Sequence, residues 1–150
     1  MEPISPGTGA AAASKTLRIL VVDDHHDSAL SMQMLIGRKH HHVEVAFDGV
    51  EALRRGEELK PRLVLLDLSL PGKDGHEIAR EMRATEWGKS AVLAATTGWL
   101  EADRQEALEA VFDHYLTKPI EPDTLYRLVE AVAKHEPENE DSGPAPLTPA

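Results

Sequence analysis

The sequence predicts an α/β fold: a single, doubly wound, five-stranded parallel sheet with helices on both faces. Two patterns support this prediction. Short apolar runs alternate along the chain with segments of helical periodicity, and the apolar runs are continuous instead of alternating with polar residues. Continuous hydrophobicity is typical of strands buried on both faces, as in a parallel sheet. Five such β-α units, joined by crossover connections, favour an open sheet covered by helices on each side.

Five apolar segments are the predicted strands, and most of them end in polar residues. In chain order they are residues 17–22, 43–46, 63–66, 91–95 and 114–117, of which 43–46 is the weakest. The first ends in Asp23 and Asp24, the third in Asp67, the fourth in Thr96 and Thr97, and the fifth in Lys118 and Pro119.

Amphipathic segments between the strands are the predicted helices. The first is expected to follow Asp27, the second to begin at Asp48, the third to carry a capping box of Asp74 and Glu77, and the last to have Pro122 in its first turn. The apolar positions expected to face the sheet are Leu30, Met34 and Leu35; Ala52 and Leu53; Ile78 and Met82; Leu100, Ala107, Leu108 and Val111; and Leu125, Leu128, Val129 and Val132.

Both ends of the chain differ in composition from the middle. Residues 1–15 are rich in Pro, Gly and Ala, and residues 136–150 are acidic and rich in Pro. Neither segment could contribute much to a hydrophobic core. We therefore expect one domain over residues 16–135, a flexible N-terminal tail and a disordered C-terminal tail.

Composition excludes several classes of function. The formal net charge of -10 argues against a protein that coats nucleic acid or docks on an anionic membrane, because both require a basic surface. There are no cysteines, which excludes disulfides and thiolate chemistry. The sequence contains neither a long apolar run nor a secretory signal, so a cytoplasmic protein is expected.

Polar residues at the strand ends are the candidate site. Ligands of open α/β sheets bind beyond the carboxyl ends of the strands, where Asp23, Asp24, Asp67, Thr97 and Lys118 are expected to converge. Each residue alone would be an ordinary turn, cap or surface residue. Together, three carboxylates would repel one another unless a cation neutralised them, and oxygen ligands suit Mg²⁺.

With a cation bound, one carboxylate can stay ionised and act as a nucleophile toward phosphorus, forming an aspartyl phosphate. Transfer of a phosphoryl group also requires stabilisation of its equatorial oxygens. The Lys118 ammonium and the Thr97 hydroxyl could supply it. The pattern therefore points to phosphoryl chemistry.

Four segments, LRILVVDDHHDS, LVLLDLSLPGKDG, AATTGW and FDHYLTKP, resemble in order the signatures of bacterial response-regulator receiver domains, including chemotaxis receivers. The resemblance covers nearly all of residues 16–135. It implies a flavodoxin-like fold with strand order 2-1-3-4-5 and a phosphoacceptor role in a two-component phosphorelay. Such a domain is a signalling protein that catalyses only its own phosphorylation and dephosphorylation.

The resemblance also implies a role for each matched position. By position, Asp67 is the phosphoacceptor and Lys118 binds the phosphoryl group. Asp24 binds Mg²⁺ (or Mn²⁺) directly, Asp23 acts mainly through a metal-bound water, and Ser69 offers its backbone carbonyl to the metal. Thr97 and Tyr115 are the switch pair, and the Lys118–Pro119 peptide bond is cis.

Other residues of interest lie outside the roles that the resemblance implies. His25 and Trp99 are expected to flank the pocket. A native transition-metal site is not expected from His25 and His26 or from the run His40, His41 and His42, although they could bind nickel or zinc opportunistically. Val111 and His40 stand near positions where the family usually has glycine, so local geometry is expected to differ there.

The implied partners are a histidine kinase or phosphotransfer protein and a downstream protein, which would bind the face formed by the fourth helix, fifth strand and fifth helix. The chain could be a stand-alone receiver or part of a hybrid kinase, and a monomer or a phosphorylation-dependent dimer.

Two alternative functions stay open: a phosphatase of the haloacid-dehalogenase type with an aspartate nucleophile, and a receiver-like module that does not use phosphate. The first normally has an acid two residues after the nucleophile, where this chain has Ser69.

Overall fold

The computed structural model describes residues 16–70, 75–98 and 111–134. Within them, five strands form one parallel sheet in the order β2-β1-β3-β4-β5. The strands are β1 (Arg18–Val22), β2 (His42–Ala46), β3 (Leu63–Asp67), β4 (Val92–Thr97) and β5 (His114–Thr117). The helices are α1 (His26–Gly37), α2 (Gly49–Leu59), α3 (Gly75–Arg83), α4 (Glu86–Ser90) and α5 (Pro122–Lys134). The predicted fold class and strand order are confirmed.

The central strands are buried on both faces, which explains their continuous hydrophobicity. In β1, Leu20 and Val22 contact one apolar core while Ile19 and Val21 contact the other. The first core also contains residues of α2, α3 and α4, and the second contains residues of α1 and α5. Side chains alternate between the faces of a strand, so each strand between the two helical layers must be apolar at successive positions.

The buried face of α1 differs from the prediction. Leu30 and Met34, expected in the core, are 45% and 62% exposed. Leu35 is partly buried, and the fully buried positions are Ala29, Met32 and Ile36. Apolar residues surround most of this helix, so periodicity alone could not identify the face that packs on the sheet.

The ends of α2 and α5 agree with the sequence prediction. The Asp48 side chain caps α2 by accepting a hydrogen bond from the Glu51 backbone N–H at 2.8 Å. Pro122 is the first residue of α5, where its missing N–H costs no hydrogen bond. The predicted capping residue Asp74 lies outside the described residues.

The short helix α4 was not among the predicted elements. The Thr85 hydroxyl accepts a hydrogen bond from the Gly88 backbone N–H at 2.9 Å and begins the helix, which places Trp87 in the core. The available signal was Thr85, a preferred N-cap residue, followed by the acidic Glu86 in the first turn.

Other predictions fall partly or wholly outside the described residues. The helix expected between Leu100 and Val111 lies there except for Val111 itself, as do the two predicted tails. His40, which stands near a position where the resembled family often has glycine, has a φ of 70°, in the left-handed region that glycine favours. Among the described helices, none has the length and apolar character needed to cross a membrane.

Candidate functional site

The register of the sheet brings the predicted site residues together. Val22 of β1 pairs with Leu66 of β3, so Asp23, which follows β1, and Asp67, the last residue of β3, lie at the same level of the sheet. Thr97 pairs with Thr117 in the last two strands, which places Lys118 at the same edge. Residues separated by up to 95 positions in the chain are thus adjacent in space.

Lys118 connects two carboxylates. Its Nζ donates to Asp23 Oδ2 at 3.0 Å and to Asp67 Oδ2 at 3.1 Å. The side chain of Asp23 is fully buried and that of Asp67 is 1% exposed, so the ammonium compensates charges that water cannot reach. Burial by itself would lower the pKa of Lys118, but the hydrogen bonds and negative charges of the two aspartates outweigh it and raise that pKa.

The second oxygen of Asp67 is held by the turn that follows β3. Asp67 Oδ1 accepts a hydrogen bond from the Ser69 backbone N–H at 2.9 Å and another from the Ser69 hydroxyl at 3.1 Å. Each oxygen of Asp67 therefore has a fixed partner. The sequence prediction gave Ser69 only a backbone role toward the metal; the hydroxyl contact is additional, and an aspartate followed at i+2 by serine is the turn pattern that indicates it.

Asp24 makes the site suitable for a cation. Its Oδ1 is inaccessible to solvent and has no hydrogen-bond partner among the described residues. Ligand atoms from Asp23, Asp24, His25 and Asp67 all lie within 4.8 Å of one another. A buried carboxylate oxygen without a donor is costly, and a divalent cation would satisfy it. The oxygen donors fit Mg²⁺, which prefers carboxylates and water.

Thr97 and Tyr115 lie on the neighbouring strands β4 and β5, where Thr97 is the last residue of β4 and Tyr115 pairs with Ala95. Thr97 is buried, and Tyr115 is partly buried against the core that contains Leu93 and Ala95. The Lys118 backbone N–H donates to the Thr97 carbonyl at 2.7 Å, and the Lys118–Pro119 peptide bond is cis.

The histidines are separated by the fold. The ring of His26 stacks on Phe47, with 3.9 Å between ring centroids, and His41 Nδ1 accepts a hydrogen bond from the Leu17 backbone N–H at 3.0 Å. Only His25 joins the carboxylates, as part of the single group of possible metal ligands found among the described residues. Trp99 lies outside those residues.

A cleft of about 530 Å³ opens beside Lys118, between α1 and the segment that follows β5. Ser31, Met32 and Leu35 of α1 form one wall, and Pro119 and Ile120 form the other. The acidic site therefore adjoins a recess large enough to admit side chains of another protein.

Comparison with known families gives one family match. The family described as "Response regulator receiver domain" matches residues 19–130, which include every strand after the first residue of β1. The matched range also contains all the predicted site residues. The match to this family therefore covers most of the chain.

Individual relatives agree with this match. The chain is 34% identical over 117 residues to the transcriptional regulatory protein ResD of Bacillus subtilis, covering 78% of this chain and 48% of ResD. It is 37% identical over 113 residues to an uncharacterized 14.6 kDa protein of Leptolyngbya boryana, covering 75% of this chain and 86% of that one. The chain thus spans about half the length of relatives such as ResD.

Solved structures show the same fold. One is the receiver domain of the sensor histidine kinase PA1611 from Pseudomonas aeruginosa, with a magnesium ion coordinated in its active site cleft. It aligns with a TM-score of 0.72 and 29% sequence identity, covering 79% of this chain and 98% of that chain.

Proposed function

Because the chain belongs to the family of response regulator receiver domains, we propose that Asp67 is the residue that accepts the phosphoryl group. The donors are a histidine kinase or a histidine phosphotransfer protein. The observation that carries the proposal is the position of Asp67: it is 1% exposed at the end of the central strand β3 and lies 3.1 Å from the Lys118 ammonium.

The reaction follows from these contacts. An oxygen of Asp67 forms a bond to phosphorus, the bond from phosphorus to the donor breaks, and the donor leaves with that electron pair. Lys118 stays protonated, because its pKa is raised, and offers positive charge to the phosphoryl oxygens. Asp23, Asp24 and Asp67 would hold Mg²⁺, with the Ser69 carbonyl as a further ligand. The cation would neutralise the carboxylates and the phosphoryl oxygens during transfer.

The buried Thr97 and the partly buried Tyr115 are proposed to pass the signal on. A phosphoryl group on Asp67 adds negative charge and acceptor oxygens, to which the Thr97 hydroxyl can donate. The movement of Thr97 would favour an inward position of Tyr115, which shifts an existing equilibrium of the surface around β5 and α5. A downstream protein would recognise that surface.

Features around the acidic site support a protein donor. The cleft beside Lys118 adjoins α1, whose Leu30 and Met34 side chains are exposed. Exposed apolar side chains near a polar site are typical of surfaces that bind other proteins. We propose that residues 16–135 form the receiver domain, and that it acts in the cytoplasm without binding nucleic acid or a membrane.

The test is chemical labelling. Wild-type protein incubated with acetyl phosphate and Mg²⁺ is expected to gain a phosphoryl group, measured by intact mass and by phosphate-affinity electrophoresis. Asp67→Asn should gain none, because the amide is not a nucleophile, whereas the control Asp27→Asn removes an exposed carboxylate on α1 and should be labelled like wild type.

Equal labelling of Asp67→Asn would show that the phosphoacceptor is another residue. Rapid turnover of a generic phosphomonoester by wild type would instead favour the phosphatase alternative. Absence of any labelling of a folded wild-type protein would favour the module that does not use phosphate.

A further inference from the structure

The turn between α1 and β2 is a cluster of exposed basic side chains on an acidic chain. Arg38, Lys39 and His40 follow one another there and are all exposed; we call these three residues the basic turn. Residues 28–43 contain no acidic side chain, although the whole chain has a formal net charge of -10. The basic turn lies where β2 begins, at the edge of the sheet opposite the acidic site, so the chemistry proposed for Asp67 does not use it.

Carboxylates of the folded domain do not neutralise the basic turn. Within the ranges that the structure describes, none of its three side chains forms an ion pair. The carboxylate of Glu44 is shared between His42, at 3.0 Å, and Arg55, at 3.2 Å. Lys39 Nζ instead lies 4.8 Å from the centroid of the Tyr126 ring. Because adjacent positive charges repel one another, an acidic ligand at this turn would be stabilising.

Helix α5 runs past the basic turn. The Tyr126 hydroxyl donates to the Leu35 carbonyl at 3.2 Å, which holds α5 against the end of α1. One turn later in α5, the charge of Glu130 acts on His41, the residue that follows the basic turn: burial lowers the pKa of this imidazole and Glu130 opposes that effect. Lys134 ends α5 one further turn on, about 6 Å beyond Glu130. The chain therefore leaves α5 close to the basic turn.

The next part of the chain has the complementary charge. Four of the six residues 136–141, which we call the acidic segment, are carboxylates: Glu136, Glu138, Glu140 and Asp141. An extended chain spans at most about 3.6 Å per residue, so these positions can lie up to about 7–25 Å from Lys134. That reach exceeds the single helical turn between Lys134 and Glu130. Covalent linkage gives the segment an effective concentration in the millimolar range, at which even weak surface ion pairs suffice.

We propose that the acidic segment binds the basic turn of the same chain, through ion pairs with Arg38, Lys39 and His40. The contact covers the junction of α1 and α5 at the edge of the sheet opposite the acidic site. A separate nucleic acid or acidic protein would be repelled by the net negative charge of the chain, whereas the acidic segment is already attached beside the turn. The proposal does not depend on the phosphoacceptor role of Asp67.

The experiment is paramagnetic NMR on the full chain. Because the chain has no cysteine, Ser142→Cys gives one attachment point for a nitroxide directly after the acidic segment. The label should broaden the backbone amide signals of the basic turn. Replacing the four carboxylates by amides should lower this paramagnetic relaxation at least about twofold, because charge holds the linked segment at the turn. The amide variant combines Glu136→Gln, Glu138→Gln, Glu140→Gln and Asp141→Asn.

A matched control and a charge exchange test the contact from the other side. Glu57→Gln with Glu58→Gln neutralises two exposed carboxylates near the end of α2 and should leave the broadening unchanged. Arg38→Glu with Lys39→Glu should remove the broadening, and adding Glu138→Lys with Glu140→Lys should restore it. Sodium chloride at about 1 M should also remove it, since the Debye length then falls to about 3 Å.

Three results would overturn the proposal. The first is a basic turn whose signals are not broadened in the labelled wild-type background, and the second is broadening that persists in the amide variant. The third is equal broadening when ¹⁵N-labelled chain without nitroxide is mixed with unlabelled chain that carries it. That result would mean that the acidic segment binds a neighbouring copy instead of its own chain.

Discussion

The Nζ atom of Lys118 lies 3.1 Å from Oδ2 of Asp67, although the two residues are 51 positions apart in the chain. The same ammonium lies 3.0 Å from Asp23 Oδ2. One positive charge thus holds two buried negative charges at the end of the sheet. Removing the Lys118 ammonium would leave both carboxylates without a neighbouring positive charge. Replacing this lysine is therefore expected to affect both the stability of the protein and the chemistry of the site.

Lys118→Met is expected to destabilise the protein when no divalent cation is present. The loss should be on the order of 1–3 kcal/mol, below that for a fully buried pair, because 25% of the Lys118 side chain is exposed. Mg²⁺ should raise the melting temperature of this variant more than that of wild type, since the cation replaces the missing charge. The measurement is thermal unfolding with EDTA and with Mg²⁺.

Lys89→Met is the control, because Lys89 is an exposed lysine in the last turn of α4. It should melt like wild type under both conditions. If Lys118→Met and Lys89→Met behave alike, the two contacts of Lys118 do not contribute to stability.

Thr97→Ala tests the proposed switch. With Mg²⁺ and beryllofluoride as a phosphoryl mimic, the ¹⁹F signal of fluorotyrosine at Tyr115 should shift in wild type. In Thr97→Ala the shift should be lost, because no hydroxyl is available to move toward the mimic; Thr97→Ser should restore it. Tyr126, which donates to the Leu35 carbonyl at 3.2 Å on the opposite core, is an internal reference. A full shift of the Tyr115 signal in Thr97→Ala would show that Tyr115 responds to the mimic without Thr97.

Gly88→Ala should be strongly destabilising for a steric reason. A Cβ atom at this position would lie 1.7 Å from the Met82 carbonyl oxygen and 2.7 Å from the Thr85 hydroxyl. Relief would require a backbone shift in α4, at a cost of roughly 2–4 kcal/mol. Urea unfolding measures the loss.

The matched substitution Gly37→Ala has no atom within 4 Å of the added Cβ and lies at the end of α1. Alanine restricts the unfolded chain more than glycine does, so stability should be unchanged or rise by up to about 1 kcal/mol. A similar loss in both variants would mean that the α4 contact is not responsible.

His41 should make stability depend on pH. Burial lowers the pKa of this imidazole below its ordinary value of 6.5, the charge of Glu130 opposes that effect and His40 adds to it. The Nδ1 that accepts the Leu17 N–H must be unprotonated, so the unfolded chain binds more protons than the folded one. The contribution is therefore fully present above about pH 6.5 and is lost as the pH falls through the lower folded value.

His41→Asn retains an acceptor and removes the titration. Unfolding free energies measured from pH 5 to pH 7.5 should rise less steeply with pH in this variant than in wild type. His114→Gln, which changes an exposed histidine on β5, should retain the wild-type slope. An unchanged slope in His41→Asn would show that other groups cause the dependence.

The sequence by itself determined the fold class and predicted which residues gather at one edge of the sheet. Continuous apolar runs such as residues 63–66 are typical of strands covered on both faces, and the carboxyl ends of parallel strands lie at one edge of a sheet. Asp23, Asp67 and Lys118 could therefore be expected together before any distance was known.

The tertiary structure decided what depends on packing and orientation. The buried face of α1 could not be predicted, because apolar side chains surround the helix and only contact with the sheet selects Ala29, Met32 and Ile36. Likewise, the sequence does not determine the orientation of a side chain that follows the end of a strand. Only the turn at the start of α1 brings His25 Nδ1 to the carboxylates, because side-chain rotamers and loop geometry depend on neighbours that are distant in the chain.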